Sequence, residues 1–174
     1  MSSRFRPISG VRSAVAAFVL LASGCVYGFQ SGTGLAGVET MAVTPCENDT
    51  RRLELSTELY DIMFRRLPSE LGLRIAGEQE ADVLVRCVIR DYRLDAPNYR
   101  AGSGGGAPEV LQRQVTIRAA VQIVDQNQRL VLWEDMGVQA EGQYLEASES
   151  EEIGKQQALD LLVQRILDGA QSNW

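Results

Sequence analysis

Five arginines, Arg86, Arg90, Arg93, Arg100 and Arg118, are the side chains in this sequence best suited to holding a ligand. A guanidinium is a planar fork that meets a phosphate or carboxylate with two parallel hydrogen bonds, so several on one surface would suit an anionic headgroup. Acid–base and metal chemistry find less to work with. Histidine is absent from all 174 residues, which removes the commonest general base near neutral pH and the usual zinc sets. The acids Glu78, Glu80 and Asp82 read as solvated surface, and Glu149, Glu151 and Glu152 as charges at a helix start. Residues 101–108 are rich in glycine but lead through Glu109, Val110 and Leu111 into a strand. A phosphate-cradling loop would instead end in Gly-Lys-Ser/Thr at a helix start, so this segment reads as a hairpin connection. Neither a cofactor nor a metal is expected, and no catalytic residue is nominated.

Cys25 offers covalent chemistry of another kind. The residues before it contain Arg4, Arg6 and Arg12 but no acid, and then an uncharged apolar run over 13–24. That is the layout of a signal peptide. Its 12 uncharged residues fall well short of the roughly 20 that a membrane-spanning helix needs. The run Leu21-Ala22-Ser23-Gly24-Cys25 resembles the lipobox of bacterial lipoproteins. The resemblance implies cleavage before Cys25, lipidation of its thiol and delivery to the outer membrane, since Val26 rather than aspartate follows the cysteine. Several acyl chains on one residue anchor far more firmly than a single chain, at about 0.8 kcal/mol per buried methylene.

Removing residues 1–24 takes three arginines, so 17 basic residues become 14 against 23 acids, a net charge of −9. So acidic a domain is not expected to bind nucleic acid, which needs a basic surface. The remaining 150 residues suit a single domain over 38–174, joined to the lipid by a glycine-rich tether over 25–37. Cys46 and Cys87 remain. In an oxidising compartment they either pair or serve as two small buried apolar side chains, and spacing alone leaves both open.

The elements that must position the arginines follow from periodicity. Residues 38–44 read as a strand ended by Pro45. Asn48, Asp49 and Thr50 supply caps for a helix reaching Leu67, closed by Pro68. That helix carries one stripe of Leu55, Leu59, Ile62 and Met63 and a second of Leu53, Tyr60, Phe64 and Leu67. Residues 81–94 alternate, with Val83, Val85, Cys87 and Ile89 against Leu84, Arg86, Val88 and Arg90. The pattern repeats with Val115, Ile117, Ala119, Val121 and Ile123 against a face that includes Arg118. Arg93 has the wrong parity for the arginine face unless a bulge intervenes. A polar turn at 125–128 precedes a last strand over 130–141, and Ser148 to Glu151 fits a capping box ahead of a helix over 149–170. The order predicts an α+β two-layer sandwich, with two helices on one face of a mostly antiparallel four-stranded sheet and the other face open.

The residues in order resemble the LPS-assembly lipoprotein family, LptE. Cys25-Val26-Tyr27-Gly28-Phe29 is similar to the family's start. Residues 38–50 are similar to its first strand, which ends in proline, with Cys46 standing where a phenylalanine is usual. Ala81 and Asp82 open the second strand as in the family, and Val121 to Asp125 with Leu132-Trp133-Glu134 are similar to its third and fourth. The resemblance implies a lipid-anchored accessory protein on the periplasmic side of the outer membrane. Its implied partners are a large LptD-like β-barrel, which it binds and helps assemble, and lipopolysaccharide or a related anionic glycolipid, which it helps deliver to the outer leaflet. The alternative is another periplasmic accessory lipoprotein, such as a pilotin or a cell-wall synthase activator. The role of the arginines is inferred from their shared strand face and not from the family.

Overall fold

The computed structural model describes residues 37–100 and 109–172, with the side chains of Tyr99, Arg100 and Glu109 left out. The signal peptide, Cys25, the tether up to residue 36 and the glycine-rich connection at 101–108 lie outside the described residues. In chain order the elements are β1 (Thr40–Val43), β2 (Glu47–Asn48), α1 (Glu54–Leu71), β3 (Arg74–Ile75), β4 (Val83–Arg100), β5 (Glu109–Asp125), β6 (Leu130–Leu145) and α2 (Glu151–Ser172). The fold is α+β, with both helices packed on a mostly antiparallel sheet. The sheet has six strands rather than the four expected, in the order β3-β1-β4-β5-β6, with β2 also paired to β4.

The two additional strands are each two residues long, too short to show an alternation. β2 continues the line of β1 along β4: Val43 faces Val85 and Glu47 faces Val88, both in parallel. Three residues therefore lie opposite two, and Pro45, which has no N–H to donate, sits in that kink. The bond between Cys46 and Cys87 spans the same place, with Cα atoms 4.8 Å apart. The question left open by the sequence is answered in favour of a disulfide. β1 pairs β3 and β4 in parallel, whereas β4, β5 and β6 form consecutive antiparallel hairpins.

The core is made by the faces that the alternation identifies. Val83, Ile89, Val115, Ile117, Ala119 and Ile123 have no accessible surface, and Leu55, Leu59 and Met63 of α1 meet them together with Leu159, Leu162, Val163 and Ile166 of α2. Each such aliphatic side chain contributes roughly 1.5–3 kcal/mol on full burial, so this layer is what holds the sheet against the helices. The second stripe of α1 is divided: Leu67 is buried and Tyr60 partly so, while Leu53 and Phe64 are exposed.

Both ends of α1 depart from expectation. Asn48 and Thr50 do not cap the helix; they build the turn before it, where Asn48 Oδ1 accepts from Thr50 N at 2.9 Å and Thr50 Oγ1 accepts from Arg52 N at 3.2 Å. Pro68 does not close the helix, because it falls in the last turn, where one lost donor is tolerated. Termination falls to Gly72, whose left-handed φ of 71° lets its N–H and that of Leu73 reach the Pro68 carbonyl.

Candidate functional site

No helix lies over the second sheet face among the described residues, and this is the face that carries the arginines. It is not bare along its whole length. Leu84 and Ala42, which point outward near the start of β4, are buried with Ala76 and Ala81 from the loop that precedes β4. Beyond that small cluster the face is mixed, with Val88, Ala120 and Met136 among its polar side chains.

Four of the five predicted arginines reach it in describable positions. Arg86 sits opposite Gln122 and Arg118 opposite Asp91. Between Ile89 and Asp91 the register slips by one residue, leaving Arg90 as the extra residue of a bulge. The slip reverses the parity of everything after it, turning Tyr92 and Leu94 toward the helices and Arg93 outward, opposite Thr116. The condition placed on Arg93 is therefore met. The side chain of Arg100 lies outside the described residues.

Their charges are partly spent on neighbours. Arg90 Nη1 is 2.8 Å from Asp49 Oδ2, and Arg93 Nε is 2.9 Å from Asp91 Oδ2. Arg118 Nη2 donates to Gln139 Oε1 at 2.8 Å. Arg86 makes no ion pair or hydrogen bond with the described residues, and lines an open depression with Thr44, Glu47, Glu78, Arg90, Gln122 and Met136. From Arg86 to Arg93 the strand climbs roughly 20 Å at about 3.3 Å per residue. The arginines therefore form two groups: Arg86 with Arg90 beside the depression, and Arg93 with Arg118 further along. Glu134, which accepts from Gln122 Nε2 at 3.2 Å, and Glu141, which accepts from Gln139 Nε2 at 3.1 Å, place carboxylates on the same face. The surface is mixed in charge, and among the described arginines of this face Arg86 and Arg118 have no carboxylate paired to them.

The acidic runs hold structural groups that composition did not reveal. Asp82 is the hub where the start of β1 meets the β5–β6 turn. Its Oδ2 accepts from Glu39 N and Thr40 N at 3.0 Å each and from Thr40 Oγ1 at 2.7 Å, while Oδ1 accepts from Asn127 Nδ2 at 2.9 Å. The donation from Glu39, followed by those of Thr40 and Asn127, holds this carboxyl down at about 2. Glu151 at the start of α2 accepts from the Tyr92 hydroxyl at 2.6 Å and pairs with Arg52, whose guanidinium lies 5.1 Å above the Tyr92 ring. Burial, then this hydrogen bond, pushes the phenol upward. Lys155, which is buried, reaches Glu58 at 2.7 Å and Glu152 at 2.9 Å, linking the helices. These carboxylates each have a cation or donor to serve. No group of three metal-ligating side chains occurs among the described residues.

The sequence pattern that defines the lipopolysaccharide-assembly family LptE matches residues 38–169, from just before β1 into the last turns of α2. The chain belongs to the LptE family. That assigns the domain to a family of accessory lipoproteins without enzymatic activity of their own. No curated protein sequence matches the chain. Among solved structures, the LptE-family chain is similar to the hypothetical protein CT253 from Chlamydia trachomatis, with a TM-score of 0.52 and 13% identity over 78% of this chain and 99% of that one. It is equally similar to protein XCC0632 from Xanthomonas campestris, of the DUF330 family, with a TM-score of 0.52 and 11% identity over 78% of this chain and 85% of that one. At these identities the likeness is one of fold.

Proposed function

We propose that this LptE-family chain is exported, cut before Cys25, lipidated there and held on the periplasmic side of the outer membrane. Residues 25–37 are its tether and 38–174 its single domain. In that position it binds an LptD-like β-barrel, assists its assembly and helps deliver lipopolysaccharide to the outer leaflet. The observation that carries this reading is the family match, which runs through the whole domain rather than a short motif. The basic leader, the short apolar run and the lipobox-like residues ending in Cys25 support the anchor. The domain's contribution is surface and shape, with no bond made or broken by its side chains.

Within this role, Arg86, Arg90, Arg93, Arg100 and Arg118 form the contact for an anionic glycolipid headgroup. Arg86 is available as it stands. Arg90 and Arg93 are held by exposed carboxylates, and exposed ion pairs contribute only about 0–1 kcal/mol, so a phosphate can displace Asp49 or Asp91 at little cost. Exchanging Arg86→Glu together with Arg90→Glu tests the contact. Binding of the purified protein to lipopolysaccharide falls about tenfold or more, by loss of charge-assisted hydrogen bonds, while the circular dichroism spectrum shows the domain still folded and the melting temperature falls only by what loss of the exposed Asp49–Arg90 pair costs. Undiminished binding in the folded double variant removes the lipid role from this face.

A further inference from the structure

The edge of the sheet beside the arginine face is closed by very little main chain. β1 contributes three residue pairs to β4 and β2 only two, with the Pro45 kink between them. Besides the strand pairing, the polar contacts that hold this segment include the hydrogen bonds of Thr44 N and Oγ1 to the Val85 carbonyl at 3.1 and 3.0 Å, that of Ser56 Oγ to the Cys46 carbonyl, that of Asp49 N to the Ile89 carbonyl at 2.9 Å, and the Asp49–Arg90 pair. The last is about half exposed on both sides, where water and salt compete with it. One contact in this region does not compete with water, the covalent bond from Cys46 to Cys87. Its loop spans 41 residues and contains all of α1 and β3. Both cysteines are 4% exposed, so the sulfurs are shielded once the edge has closed, and exchange with a donor has to precede closure.

We propose that Cys46 and Cys87 are an oxidative maturation site, and that their bond clamps residues 44–53 onto β4. The inference rests on export to an oxidising compartment and uses neither the barrel nor the glycolipid. The reaction is thiol–disulfide exchange with a disulfide donor of the periplasmic oxidoreductase class. One cysteine thiolate attacks the donor's disulfide, forming a mixed disulfide and releasing one donor thiolate. The second cysteine, as thiolate, displaces the donor from the first. The donor leaves reduced, and the protein's two thiol protons leave with the thiolates or pass to solvent. The clamped segment carries Asp49 and so keeps Arg90 paired; when it opens, Arg90 loses its carboxylate and the arginine face changes its charge.

Thiol trapping and hydrogen exchange on the full lipoprotein test this. Protein from cells with a working periplasmic thiol oxidase, unfolded in an alkylating reagent, takes up no label at Cys46 or Cys87. Protein from cells lacking the oxidase takes up two. In the Cys46→Ala/Cys87→Val variant, which keeps both positions apolar, amide exchange over 44–53 quickens about a hundredfold or more and by a larger factor than in β5 and α2, whose core amides quicken only through the loss of global stability that follows when a long-loop constraint is lifted. Free thiols in the oxidase-competent protein, or full disulfide without the oxidase, would overturn the maturation step. Unchanged exchange over 44–53, or a rise there no larger than that in β5 and α2, would overturn the clamp. None of these readouts involves barrel binding, so the failure of the functional reading would be seen separately.

Discussion

Asp82 shows how much one side chain carries in this domain. Its carboxylate takes four hydrogen bonds that join β1 to the β5–β6 turn, and its value drops from 3.8 to about 2. A group whose folded value is depressed adds stability that is present above its unfolded value and is lost as pH falls toward the folded one. Urea midpoints measured from pH 5 downward therefore decline between about 4 and 2 in the parent. They decline less in Asp82→Asn, which is also less stable at pH 7. Parallel curves for the two proteins would mean that Asp82 contributes nothing through its charge. Lys155 is the second such residue: truncating it to Ala leaves Glu58, 32% exposed and with one oxygen already buried without a hydrogen-bond partner, without its cation. Thermal melts read as a loss of about 2 kcal/mol. Neither role was legible in the sequence. Asp82 stood among other acids at a strand entry, and Lys155 among polar residues on a helix, and both acquire meaning from partners roughly 40 to 100 positions distant. The arginines were more legible, because strand parity states which face a side chain takes without knowledge of its partner.

At the scale of elements, alternation located the cores of β4 and β5, the polar turn at 125–128 located β6, and apolar stripes and a capping box located the helices. Strand ends were read short because β4 bulges at Arg90 and again between Asp95 and Asn98, and each slip reverses the parity on which the reading depends. The contact of α2 with β6 was also invisible in sequence. Gly142 faces Gly154 so closely that a Cβ on Gly142 would lie 1.9 Å from the Gly154 carbonyl oxygen, and a Cβ on Gly154 would meet the Tyr144 ring at 2.9 Å. Backbone cannot yield as a flexible side chain can, so Gly142→Val moves α2 off the sheet and costs about 3 kcal/mol or more by chemical denaturation. A variant as stable as the parent would show that the helix has room to move. α2 also seals the edge of β6. Gln157 accepts from Gln143 N at 3.2 Å, Arg165 donates to the Gln139 carbonyl, and Glu149 preceding the helix accepts from Leu145 N at 2.6 Å. An edge with its main-chain groups engaged resists pairing with stray strands, so loosening α2 is expected to increase aggregation as well as lower stability.

For the whole molecule, the absence of histidine, the acidic balance and the lipobox-like cysteine narrowed the function before any fold was known. The expectation of an α+β sandwich with a face free of helices then gave the arginines a place to act. Two-residue strands and a kinked edge strand lay beyond that reading, since they are held by tertiary pairing and a disulfide rather than by local pattern. The family places this domain among the lipopolysaccharide-assembly proteins, and the proposed role beside an LptD-like barrel asks the domain for a surface rather than for chemistry. The central claim is the partner. Affinity purification of the tagged, lipidated protein from gently solubilised outer membranes, with mass spectrometry of what accompanies it, tests that claim most directly. The account predicts a large β-barrel in a one-to-one ratio. Recovery of a secretin or a cell-wall synthase in its place, with no such barrel, would contradict it.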